Sequence, residues 1–158
     1  MRQAIALLAL MIGCFAECAS AQSALIDQDL YGLARVRLFA IGKVGFAGQL
    51  QPAEQRLMRI LARPTAARDL KHLYRIGTPE AQSYALAGLY QLDRGQFEQL
   101  LQRVRNSRAK ILLESGCIVS IQTFPEIIRR IEAGSYLLFI APADEVTSKA
   151  ASARAPTL

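Results

Sequence analysis

Between Ala81 and Leu92 the chain carries no charged side chain. Across the surrounding run GTPEAQSYALAGLYQLD, Gly77 to Asp93, small residues and tyrosines stand where a surface helix carries Lys and Glu. The run has the boundaries of a helix: Thr78 is an N-cap, Pro79 suits the first turn, and Glu80 suits the positive end of the helix dipole. On a helical wheel Ala81, Ala85, Gly88 and Leu92 form one stripe, with Leu86 and Tyr90 almost opposite. A helix apolar nearly all round is buried on more than one side. Its charge-free length is about 12 residues, short of the roughly 20 that a membrane span needs. The expectation is a central helix enclosed by other helices, its two tyrosines reaching hydrogen-bond partners at the core edge.

The flanking segments supply those helices. Pro52 opens a helix to about Ala62, with Leu57, Met58, Ile60 and Leu61 as its apolar arc. Pro64 opens another that reaches Ile76, with Ala66, Leu70, Leu73 and Tyr74 inward and Gly77 as its stop. Asp93-Arg94-Gly95 reads as a turn before a helix Gln96–Arg105 that turns Phe97, Leu100, Leu101 and Val104 to one side. Upstream, Leu30, Leu33, Ala34, Leu38 and Ile41 share one helical face, and the chain then loosens at Gly42, Gly45 and Gly48. Downstream, AKILLESGCIVSIQ (109–122) reads either as a short buried strand or as a helix broken at Gly116, because periodicity does not separate the two at this length. Thr123–Glu126 is a capping box that opens a helix to Ala133, ended by Gly134. Ser135–Pro142 reads as an extended apolar run packing onto the core, and 143–158, small and polar, as a disordered tail.

Helix, short turn and helix, with Pro and Gly in the turns, is the pattern of paired α-helical layers. The part from Pro52 to Val104, above all TPEAQSYALAGLYQLD followed by FEQLL, resembles HEAT-type helical hairpins. The resemblance covers about a third of the chain. It implies a compact right-handed stack of antiparallel helical hairpins that holds partners rather than performing chemistry, and it carries over no functional residues. No internal repeat of fixed period is present, so a long solenoid is not expected. The expected fold class is all-α, or nearly so, in one domain over 22–142 with a short extended segment near its C-terminus.

The first 21 residues read as a signal peptide. Arg2 supplies a positive start, Ala4–Ile12 an apolar core, and Ala19-Ser20-Ala21 a small-x-small cleavage pattern that leaves Gln22 as the new N-terminus. The alternative is a lipoprotein box at Met11–Cys14, with Cys14 lipidated. Either way the chain is expected to be exported, periplasmic or secreted. Cleavage removes Cys14 and Cys18, and the one remaining thiol, Cys117, has no intramolecular partner. Its apolar setting, GCIVSI, reads as a buried, inert cysteine, with pairing to another molecule as the alternative.

Catalytic patterns are sparse. His72 is the sole histidine, placed by periodicity at the charged edge of its helix and expected to be solvated. There is no HExxH and no paired Cys or His spacing, so neither a metal nor a cofactor is expected. Ser115-Gly116-Cys117 is not a nucleophile elbow. GKVGFAG has neither the spacing nor the following Lys-Ser/Thr of a phosphate loop and reads as a connector. The carboxylates Glu54, Asp69, Glu80, Asp93, Glu98, Glu114, Glu126 and Glu132 are scattered, several with a capping or helix-surface explanation.

Charge is the remaining feature. The net charge is +6, and losing Arg2 and Glu17 with the signal peptide leaves it unchanged. Arg56, Arg59 and Arg63 lie on one helical face, and Arg68, Lys71 and Arg75 repeat the spacing on the next helix; Arg103, Arg105, Arg108 and Lys110 form a further cluster. The plainer reading of such rows is the polar face that every amphipathic helix needs; the sharper one is a basic binding face. The rows lack interleaved aromatics for base stacking, so the expected partner is an acidic protein surface or an anionic envelope component, not nucleic acid. Membrane attachment is expected only with lipidation at Cys14. The function expected is that of an exported interaction protein. The alternatives are a hydrolase whose carboxylates converge with His72 in a groove, and a lipid-anchored structural protein of the envelope.

Overall fold

Capping chemistry sets most of the element boundaries in the computed structural model, which describes residues 28–136 apart from 43 and 45–47. The signal segment with Cys14, Ala21 and Gln22, residues 137–142 of the apolar run, and the tail 143–158 lie outside the described residues. Helix α1 is described over 28–34, followed by α2 (Pro52–Leu61), α3 (Ala66–Ile76), α4 (Pro79–Leu92) and α5 (Arg94–Val104). Strands β1 (Lys110–Ser115) and β2 (Ile118–Thr123) then form an antiparallel hairpin, and α6 (Phe124–Glu132) follows. Among the described residues the protein is mostly helical with this one small sheet. No described helix is long and apolar enough to cross a membrane.

α4 is the centre of the fold. The Thr78 hydroxyl accepts the Ala81 N–H at 3.2 Å, Pro79 stands in the first turn, and Ala81 and every residue from Ser83 to Leu89 are buried. Neighbours on several sides account for this: α4 packs against α2, α3, α5, α6 and β1. The small stripe is what allows the approach. A Cβ on Gly88 would stand 2.8 Å from Leu70 Cδ1 and 3.1 Å from Leu61 Cδ2, so a larger residue would force these two leucine side chains of α3 and α2 to shift. Leu92, at the end of the stripe, is exposed.

Tyr84 reaches further than the core edge. Its hydroxyl, fully buried, accepts the Ala40 N–H at 2.9 Å and donates to the Ala40 carbonyl at 2.7 Å. One side chain thereby satisfies both backbone groups of an extended residue, the service a neighbouring strand normally provides. Tyr90 does sit at the edge, donating to the Glu132 carbonyl at 3.0 Å.

Four expectations are corrected. The first helix does not run to Ile41. It ends at 34, where the Thr78 N–H donates to the Ala34 carbonyl and the Thr78 hydroxyl to the Val36 carbonyl. Beyond it, the Phe39 N–H donates to Leu112 O at 2.8 Å and Phe39 O accepts from the Glu114 N–H at 2.9 Å, making a parallel bridge to β1. Phe39 and Ala40 are therefore the buried residues, while Leu38 and Ile41 are half-buried. The Asp93-Arg94-Gly95 turn shrinks to a single residue: Asp93 closes α4 and caps α5, its carboxylate accepting the Gln96 N–H at 3.0 Å. Arg94 lies 3.7 Å above the Tyr90 ring at this corner. Third, Cys117 is exposed. Gly116, at φ +60°, and Cys117 form the two-residue hairpin turn, with glycine at the position that needs positive φ, and that turn points the thiol outward. The segment 109–122 is thus a hairpin, with Ile111 and Leu113 facing the core and β2 largely exposed. Met58, expected in the apolar arc of α2, is also exposed.

Candidate functional site

Five of the six basic residues lie on α2 and α3, whereas Arg63 stands in the turn just after α2, and the surroundings of the two rows differ. On α2, Arg59 forms a bidentate pair with Asp29 of α1: Nη2 stands 2.7 Å from Oδ1 and Nε 3.0 Å from Oδ2. Arg63 Nη2 donates to Oδ2 of the same carboxylate at 2.9 Å, and its Nη1 lies 3.9 Å from Asp69 of α3. Arg63 and Asp29 are largely enclosed, their side chains 14% and 10% exposed. From the turn between α2 and α3, the Arg63 guanidinium thus hydrogen-bonds to α1 and faces the carboxylate of Asp69 on α3. Hydrogen bonding from Arg59 holds the Asp29 carboxyl below its ordinary range despite the opposing effect of burial, with further help from the charges of Arg59, Arg63 and Arg56. Arg56 lies over the backbone of Gly32, where a Cβ would meet its Nε at 2.8 Å. It lines a separate cavity of about 230 Å³ with Val36, Leu38, Gln51 and Tyr84.

The row on α3 faces outward. Arg68, Lys71, His72 and Arg75, with Asp69, line a surface cavity of about 330 Å³. Asp69 is already engaged: it accepts from the Thr65 hydroxyl at 2.7 Å, lies 3.7 Å from Arg68 Nε, and faces Arg63. Lys71 and Arg75 make no ion pair among the described residues. The helical spacing that stacks these side chains on one face also brings His72 beside them. The arrangement presents several cations to one concave patch, which suits a negatively charged surface.

Of the six basic residues, then, the fold brings Arg59 and Arg63 together around Asp29, groups Arg68, Lys71 and Arg75 around the α3 cavity, and sets Arg56 beside a different one. Sequence reasoning missed Asp29. It stands roughly 30 positions before its arginines and belongs to no motif, so only the packing of α1 on α2 reveals its part.

Of the groups the hydrolase alternative invokes, His72 and Asp69 line the same cavity on α3. His72 is exposed and hydrogen-bonds to no carboxylate among the described residues. No cluster of three or more His, Cys, Asp or Glu suited to a metal occurs among them. Glu54 is the one unusual acid: buried, it accepts the Gly42 N–H at 3.0 Å while its second oxygen has no partner. Burial pushes its carboxyl above the ordinary range, partly offset by the Gly42 hydrogen bond. Gly42, in the glycine-rich connector, thus points its N–H at a carboxylate of its own chain, consistent with a connector tied to α2 rather than a phosphate loop. Comparison with known protein families, curated proteins and solved structures gives no match.

Proposed function

We propose that this chain is an exported interaction protein, a scaffold of HEAT-like helical hairpins that docks an acidic protein surface on the outward row of α3. The supporting observation is the division between the rows: Arg59 and Arg63 are committed to Asp29, whereas Lys71 and Arg75 line a concave patch with no ion-pair partner among the described residues. Arg75 is exposed and Lys71 half-buried, and cations at a surface without an ion-pair partner contribute little to stability, so substituting them is inexpensive for the fold. Against a partner of opposite charge they speed encounter and set orientation. The export half of the reading rests on the N-terminal sequence pattern.

The test is capture of a tagged chain, expressed in its own cells, from the envelope fraction at low and at moderate salt, beside a Lys71→Glu/Arg75→Glu variant. The expected result is a stoichiometric acidic protein that the wild type retains, that moderate salt weakens and that the variant loses. No partner at either salt, or equal retention by the variant, overturns the proposal.

A further inference from the structure

The strand β2 reads Ile118-Val119-Ser120-Ile121-Gln122-Thr123, without a charged residue or a proline. β1 is covered on one side by Phe39, which bonds to Leu112 and Glu114. By strand alternation, Ile111, Leu113 and Ser115 direct their backbone groups at β2, where they pair with Gln122, Ser120 and Ile118. The N–H and C=O groups of Val119 and Ile121 therefore point away from β1, and no other strand lies beside them among the described residues. Val119 and Ile121 are 56% and 63% exposed, and Ile118 is 71% exposed. Folded proteins guard such an edge with lysine, proline or a bulge. β2 has none of these.

We propose that β2 is a self-pairing edge, through which two copies of the chain join antiparallel about a two-fold axis at Ser120 into one four-stranded sheet. In this register Val119 exchanges both backbone hydrogen bonds with Ile121 of the second copy, and Ile121 with its Val119, so all four outward groups of each copy are satisfied at once. Ser120 meets its own counterpart and Ile118 lies opposite Gln122, an arrangement that requires no second kind of surface. The seam carries no charge, so two chains of net charge +6 meet there without opposing like charges. Because the contact is two-fold it consumes both edges, and assembly stops at the dimer. Three exposed apolar side chains per copy fall short of the roughly 800 Å² per partner of a standard stable interface, so the association is weak and concentration-dependent. The two Cys117 residues lie at opposite ends of the seam, about 20 Å apart at the rise of an antiparallel strand, so no disulfide is involved. The pairing uses no residue of α3 and does not depend on the acidic-partner reading.

Sedimentation equilibrium of the full chain, from micromolar to millimolar concentration with and without reductant, tests this beside Ile121→Lys and Val119→Pro. The first variant leaves the backbone intact. The second removes only an N–H that points away from β1, and far-UV circular dichroism confirms that each is folded. The expected result is a reversible dimer, unaffected by reductant and weakened at least about tenfold, or 1.4 kcal/mol, by Ile121→Lys. A monomer at every concentration, a dimer abolished by reductant, or a dimer that Ile121→Lys leaves unchanged overturns the proposal.

Discussion

Tyr84 and Glu54 hold the same extended segment from two helices, and each makes a separate prediction. Tyr84→Phe keeps the ring against Phe39, 4.8 Å between centroids, but leaves the Ala40 N–H and C=O buried without partners. Stranding such groups costs about 1–3 kcal/mol, to be read as a lower urea midpoint at unchanged slope. Glu54 titrates in the opposite sense from a paired carboxylate. Its folded value is raised by burial, so its contribution to stability is full below the ordinary glutamate value and is lost as pH rises through the raised one. Glu54→Gln retains an acceptor for the Gly42 N–H and removes the charge. The variant should therefore gain on the wild type as pH climbs from 4 to 7, measured as the difference in urea midpoint along the series. A difference that stays flat, or moves the other way, would mean that Glu54 is not held in a desolvated site.

Among the elements, α4 is the most exacting. Gly88→Ala should destabilise the protein by about 1–2 kcal/mol through overpacking against Leu70 and Leu61, and this outweighs the gain of up to about 1 kcal/mol in helix propensity; thermal denaturation reads the net sign. The helices α2, α3, α4 and α6 were legible because their boundaries are local. Thr78, Pro79, Gly77 and the Thr123–Glu126 capping box act within a turn of where they stand, and Thr123 N–H does bond Glu126 Oε2. The segment after α1 was not legible, because its hydrogen bonds go to β1 and Tyr84, more than 40 residues on. Leu38 and Ile41 keep a helical period by coincidence with a strand whose inward residue is Phe39. Cys117 misled for a related reason: an apolar neighbourhood in sequence is a buried one only where a second layer covers it, and Ile118 and Val119 have none. The spacing of the basic residues did not reveal how they divide: Arg63 falls past the end of α2, Arg56 sits beside a separate cavity, and the engagement of Arg59 and Arg63 depends on Asp29.

Across the whole molecule, Arg59 and Arg63 form a fastening around Asp29, whereas Arg68, Lys71 and Arg75 line an outward patch. The internal fastening has its own pH signature. Asp29 is held below its ordinary value, so the stability it contributes is complete above that value and is lost as pH falls through the lowered one. Asp29→Asn should remove that part of the acid sensitivity and lower stability at neutral pH, read from denaturation midpoints between pH 7 and pH 2. The central claim is tested most directly by comparing the unfolding free energies of two charge-reversal pairs at neutral pH, Arg59→Glu/Arg63→Glu and Lys71→Glu/Arg75→Glu. The first pair sets new carboxylates against the largely buried Asp29 and should lose at least about 3 kcal/mol. The second should stay within about 0.5 kcal/mol of the wild type, as surface substitutions do. Equal losses from the two pairs, or an Arg59/Arg63 pair that leaves stability untouched, would contradict the division of the rows and, with it, the choice of α3 as the face that meets a partner.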